Sequence, residues 1–232
     1  MTPLERVGTV LQGGIPDHVP AQPVVFAAAR RVYGVTYVEW AQDGELAAKC
    51  SLQAQVLLGF EGMGAFVDLS VEAAGFGQEV VYPVDDTPRP NYDNPLIKSP
   101  DDYSKIERVD PTKAPRMKEV ITCCDILMNE RGATVPVSGF VYGPLGVLGM
   151  MRGAEKLFTD CIKYKQDVVK GCEIITDALV DYVRAQAKTG VHGIVMDTLF
   201  ACQGIMSKKL WRRSKDRLSR SLRTRSAMRA PR

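Results

Sequence analysis

The sequence has no apolar run approaching the roughly 18 to 20 residues that a bilayer-spanning helix needs. Its N-terminus has no basic region followed by an apolar stretch. Membrane insertion and secretion are therefore not expected, and the chain reads as cytoplasmic. Histidine is scarce: only His18 and His192 occur, and neither has a cysteine or second histidine at a zinc-site spacing. The six cysteines (Cys50, Cys123, Cys124, Cys161, Cys172 and Cys202) form no CxxC pair. Without an export signal, reduced thiols are expected rather than a disulfide framework. Residues 139–153 are glycine-rich but match neither GxGxxG nor the P-loop pattern, which excludes the usual phosphate-cradling turns.

What is present is the composition of an ordinary globular protein: 232 residues, 45% hydrophobic and 25% charged. The formal charge of +3 conceals two unlike regions. Residues 208–232 hold eleven basic side chains and the single acid Asp216, which leaves a balance of −7 for the residues before them. The break falls near Trp211. The basic stretch suits nonspecific phosphate contact through counterion release, but beyond Trp211 it has no aromatic and no recognition motif, so nucleic acid is not the expected partner.

Strand and helix patterns alternate along the chain. Thr2, Pro3 and Glu5 form a capping box with proline at the first helical position, and Leu4, Val7 and Leu11 share a face up to Gly13 and Gly14. Pro23, Val24, Val25 and Phe26 form an apolar run of the kind buried in parallel sheets. A helical pattern from about Asp43 to Gly62 carries Leu46, Cys50, Leu57 and Phe60, and strand-like residues 64–69 follow. Residues 79–83 read as extended. Ser99 and Pro100 start a short helix and Pro115 a longer one ending at Gly132, in which Cys123 and Cys124 are expected to pack in the core. Residues 134–140 form a strand pattern, and the glycine-rich 139–153 stretch is expected to turn out of it. The longest helical region, 166–188, places Val169, Ile174, Ala178, Val180 (or Val183) and Ala187 near one face. Residues 191–196 form the last apolar strand, with His192 at its start in a structural role. This alternation predicts an α/β fold with a parallel sheet, either doubly wound or a (β/α)8 barrel.

The ordered segments resemble one family. Residues 66–80, containing Asp68, Glu72, Gly75 and Gly77, are similar to the segment of the uroporphyrinogen decarboxylase superfamily that places an aspartate at a strand end. The resemblance continues through Gly139, Tyr142, Gly143 and Pro144, through Met196 and Asp197, and through residues 205–211, which resemble the family's Ile-Ser-Pro-Lys-Met-Trp helix start. It implies a (β/α)8 TIM barrel with chemistry at the C-terminal strand ends, here incomplete, with about five of eight βα units. Residues 1–211 are expected to form this part of the barrel and 212–232 a basic tail outside it. One reading of the tail is a frameshift product that leaves this copy truncated and inactive; a solvated disordered tail is another.

The superfamily contains decarboxylases of uroporphyrinogen, in porphyrin biosynthesis, and methyltransferases that move a methyl group from a methylated corrinoid protein to a thiol such as coenzyme M. The decarboxylases carry Arg-Gln-Ala-Gly-Arg after the first strand, two guanidinium groups suited to a substrate with many carboxylates. Ala28 and Val32 stand at those positions, with Arg30 and Arg31 off register, and Met150 replaces the decarboxylase tyrosine. These departures favour the methyltransferase branch, with the decarboxylase as the alternative and a non-catalytic fragment with a nucleic-acid-associating tail as a third. The resemblance implies Asp68 as the catalytic residue and Tyr142, Asp197 and Glu72 as substrate-binding residues. It implies no metal ligand among the residues present. Zinc held by a His-x-Cys pair and a further Cys is expected only in a full-length methyltransferase, and a small thiol and the corrinoid protein are the implied partners.

Overall fold

A computed structural model of the protein describes residues 1–65 and 68–200. In chain order the elements are α1 (Pro3–Leu11), α2 (Ala29–Tyr33), α3 (Tyr37–Gln42), α4 (Gly44–Leu58), β1 (Met63–Gly64), α5 (Val71–Gly75), β2 (Val80–Val81) and β3 (Arg89–Pro90). They continue with α6 (Pro115–Arg131), β4 (Val137–Tyr142), α7 (Pro144–Arg152), α8 (Ala154–Lys163), α9 (Lys165–Lys188) and β5 (Gly193–Asp197). Short 3-10 helices occupy Phe26–Ala28 and Pro100–Lys105. The readings attached to residues 201–232, including Cys202, the helix start at 205–211 and the basic tail, lie outside the described residues.

Strands β1, β4 and β5 form a parallel sheet in the order β1-β4-β5, and β2 and β3 pair as a small antiparallel ribbon. Helices connect the parallel strands, as parallel pairing requires. Among the described residues three strands are parallel. The apolar run Pro23–Phe26, read as a strand, forms none. Pro20 and Pro23 have no N–H to offer a central ladder, and the chain is instead tied by the Glu61 N–H donated to the Ala21 carbonyl at 2.8 Å before turning into the 3-10 helix.

Local chemistry sets the helix starts. Capping boxes close α1 at Thr2 and α3 at Thr36, Asp43 caps α4, and Pro115 and Pro144 sit in the first turns of α6 and α7. Pro144 also corrects the expected turn over 139–153, because β4 runs to Tyr142 and α7 begins two residues later. The glycines of α7 permit close approach instead: a Cβ on Gly149 would lie 2.4 Å from the Phe200 ring.

Small residues decide how α4 packs. Its buried positions are Gly44, Ala47, Ala48, Cys50 and Ala54, whereas Leu57 is exposed. Large side chains were expected on this face, but α4 lies too near α6 to admit them: a Cβ on Gly44 would sit 2.1 Å from the Glu119 carbonyl oxygen. Gly44→Ala is therefore expected to cost about 1–3 kcal/mol through overpacking, measured as a lower urea midpoint at unchanged m-value. On α9 Ala178 and Val180 are buried as expected, but the rest of the stripe is rotated. Val168, Cys172, Ile175, Leu179, Tyr182 and Gln186 are buried while Ala187 is exposed, because α9 is covered by β4 and also by the Pro100–Lys105 segment.

Buried ions tie the loops to this core. Arg6 of α1 reaches Asp17 and Glu61, joining the N-terminal loop to the start of β1. Arg152 donates to Asp160 at 2.7 Å and to the Lys98 carbonyl at 2.6 Å, and Tyr103 donates to the same carboxylate at 3.0 Å. Cys123 and Cys124 are buried on α6, as expected. No helix among the described residues is long and apolar enough to cross a membrane.

Candidate functional site

The three parallel strands point their C-terminal ends the same way, and the residues singled out by the sequence lie at that edge. Tyr142 ends β4, Asp197 ends β5, and the two are register partners. Asp68 follows β1 and Glu72 lies in the first turn of α5. At the opposite edge His192 fixes the β4–β5 register, its N–H donating to the Val137 carbonyl at 2.9 Å and its Nδ1 accepting the Val137 N–H at 3.1 Å.

Asp68 is 2% exposed. One carboxylate oxygen accepts the Ser70 N–H at 2.8 Å, an Asx turn leading into α5, and the other forms an ion pair with Arg116. Arg116 is itself buried, donates to the Tyr82 hydroxyl at 3.0 Å and lies over the Tyr82 ring at 5.5 Å. Burial pushes the Asp68 carboxyl above its ordinary range, against the opposing pull of the Arg116 guanidinium and the Ser70 amide.

Glu72 is equally buried at 2% exposure. Its Oε1 accepts the Tyr142 N–H at 2.9 Å, while Oε2 has no hydrogen-bond partner among the described residues. Burial first, and then the neighbouring Asp68 charge, push its pKa up to about 7. Tyr142 is buried and meets Phe140 edge-on at 4.9 Å, and burial raises its hydroxyl pKa. Asp197 is exposed at the strand end.

The structure thus brings Asp68, Glu72 and Tyr142 into one buried cluster, with Asp197 beside it on the neighbouring strand. Arg116 and Tyr82 belong to the cluster and were not singled out by the sequence, since 48 residues separate Arg116 from Asp68. Gln186 was also missed. Its side chain accepts the Phe140 N–H at 2.9 Å and donates to the Phe140 carbonyl at 3.0 Å. A polar residue on the apolar stripe of α9 is the signal that would have found it.

These features agree with comparisons to known proteins. The sequence profile of uroporphyrinogen decarboxylase (URO-D) matches residues 2–226. The chain belongs to this family. It is 22% identical over 215 residues to the methylated-thiol–coenzyme M methyltransferase of Methanosarcina mazei, covering 91% of this chain and 58% of that protein. A solved structure of a methyltransferase from Methanosarcina mazei superposes with a TM-score of 0.82 at 20% identity, over 97% of this chain and 67% of that one. The fold is therefore of the URO-D barrel type, of which the described strands form part, and the site occupies the end of the strands where such barrels carry their chemistry. The chain spans 58% of the length of the curated relative it matches.

Proposed function

We propose that this chain serves methyl transfer to a thiol, with a methylated corrinoid protein as donor. The observation that carries the reading is the fate of Arg30, the buried arginine near the positions where a decarboxylase would hold its substrate. Arg30 donates to the Val35 carbonyl at 3.3 Å, lies 3.6 Å from Asp85 and stacks over Tyr37 at 5.0 Å. It is a local brace, and Ala28 and Val32 offer no charge, so a polycarboxylate substrate has no guanidinium clamp here. Similarity to the methylated-thiol enzyme supports the same choice.

In this reading the Asp68–Arg116 pair, Glu72 and Tyr142 form a buried polar cluster beneath the strand ends, and Asp197 is exposed beside it. A methylated corrinoid supplies an electrophilic methyl group when bound. The thiol acceptor must lose its proton before its sulfur can attack. Among the described residues no group of three or more His, Cys, Asp or Glu is arranged to hold a metal ion. The described residues do not fit a zinc centre.

The test is direct. Purified full chain, methylcobalamin and a small thiol are expected to show loss of the methyl–cobalt absorption band and formation of a thioether. Porphyrinogen incubated in parallel is expected to keep its carboxylates. Decarboxylation without methyl transfer would reverse the assignment.

A further inference from the structure

The hydrogen bonding of β4 changes partner along the strand. The Val137 carbonyl and the Gly143 N–H bond toward β5, so odd-numbered residues face that strand. Even-numbered residues face β1, where the Ala65 N–H donates to the Ser138 carbonyl at 2.9 Å. β1 pairs with β4 through Met63 and Gly64. Farther along the same side, Gln186 bonds both backbone groups of Phe140, and Glu72 accepts the Tyr142 N–H. Two side chains from different helices thus bond the backbone of β4 on the side that faces β1, Gln186 at Phe140 and Glu72 at the catalytic end of the sheet.

We propose that Glu72 is a positioning residue of this site: its carboxyl anchors the Tyr142 end of β4 and sets the net charge of the buried cluster. The proposal rests on the methyl-transfer reading for its role in the reaction and on geometry alone for the anchor. The titratable groups that act on Glu72 or feel its charge include Asp68 from the loop after β1, Arg116 from α6, Tyr142 from β4 and Tyr182 from α9. Asp197 adds charge near Tyr142 from β5. With Glu72 neutral, Asp68 and Arg116 cancel. With Glu72 ionised, the cluster carries one net negative charge in a low-dielectric interior, where such a charge acts strongly on anything bound beside it. The second oxygen, buried and without a hydrogen-bond partner among the described residues, suits the neutral acid better than a carboxylate. The same burial places its titration near pH 7, so both charge states are accessible at neutral pH.

Two readouts on the full chain test this. Amide hydrogen exchange at Tyr142 reports the anchor without any substrate. Glu72→Ala is expected to speed exchange roughly tenfold or more, the effect of losing one buried hydrogen bond, while Glu72→Gln, which keeps an acceptor oxygen, retains the protection. Unchanged Tyr142 protection in the alanine variant would overturn the anchor. The pH profile of methyl transfer from methylcobalamin to a small thiol reports the charge. The wild type is expected to show a midpoint near pH 7 that is absent in Glu72→Gln. A purely structural role would lower activity without moving that midpoint, and a midpoint kept in the glutamine variant counts against the proposal. Where the alanine variant does not fold, the comparison of wild type with Glu72→Gln still decides. Altered exchange with no methyl transfer by any protein would support the anchor and overturn the methyl-transfer reading.

Discussion

Raising the pH from about 5 to about 8 is expected to remove about 2–3 kcal/mol of folding stability through Glu72 alone. In the unfolded chain this carboxyl titrates at its ordinary value of 4.5, and in the folded protein at about 7. Between those values the folded state holds the proton and the unfolded state does not. Stability conferred by the neutral acid is therefore complete below about pH 4.5 and is lost as the pH rises through 7. Glu72→Gln removes the titration and keeps an acceptor for the Tyr142 N–H. Denaturant midpoints should then coincide for wild type and variant near pH 5, with the variant the more stable near pH 8. Parallel pH dependence in the two proteins would show that Glu72 ionises normally.

The second large effect is expected at Arg116. Replacing it by leucine leaves Asp68 buried with its Ser70 N–H bond but without its counterion, and removing one partner of a buried pair costs about 3–5 kcal/mol. Lysine should restore little, because one ammonium cannot reproduce the fork that reaches both Asp68 and Tyr82. The double replacement Asp68→Asn with Arg116→Leu should be less damaging than the sum of the single ones, since no unpaired charge remains. A double-mutant cycle by chemical denaturation measures this coupling. If Arg116→Leu unfolds at the wild-type midpoint, Asp68 is not held as the structure indicates.

Both predictions concern groups that differ in how far sequence could reveal them. The positions of Asp68, Glu72, Tyr142 and Asp197 were legible through the family resemblance, which sets functional groups at or just beyond strand ends. Their environment was not legible. Asp68 read as a carboxylate at a strand end, but the structure buries it against a guanidinium from α6. Glu72 read as a substrate-binding residue, but the structure buries it, which raises its pKa to about 7, and bonds it to the Tyr142 amide. Arg116 carries no local pattern, and its role exists only because α5 and α6 pack together.

The sequence by itself determined the alternation of helices and strands and the helix starts at Thr2, Asp43 and Pro115, which depend on local spacing and capping acting over a few residues. The resemblance of its ordered segments determined the family and pointed to four candidate residues. Tertiary structure decided that Pro23–Phe26 is not a strand, that α4 buries its alanines, and that side chains of Gln186 and Glu72 bond the backbone of β4. It also decided which carboxyl is paired and which has its pKa raised to about 7. Those outcomes depend on packing distance and desolvation, set by residues far apart in the chain.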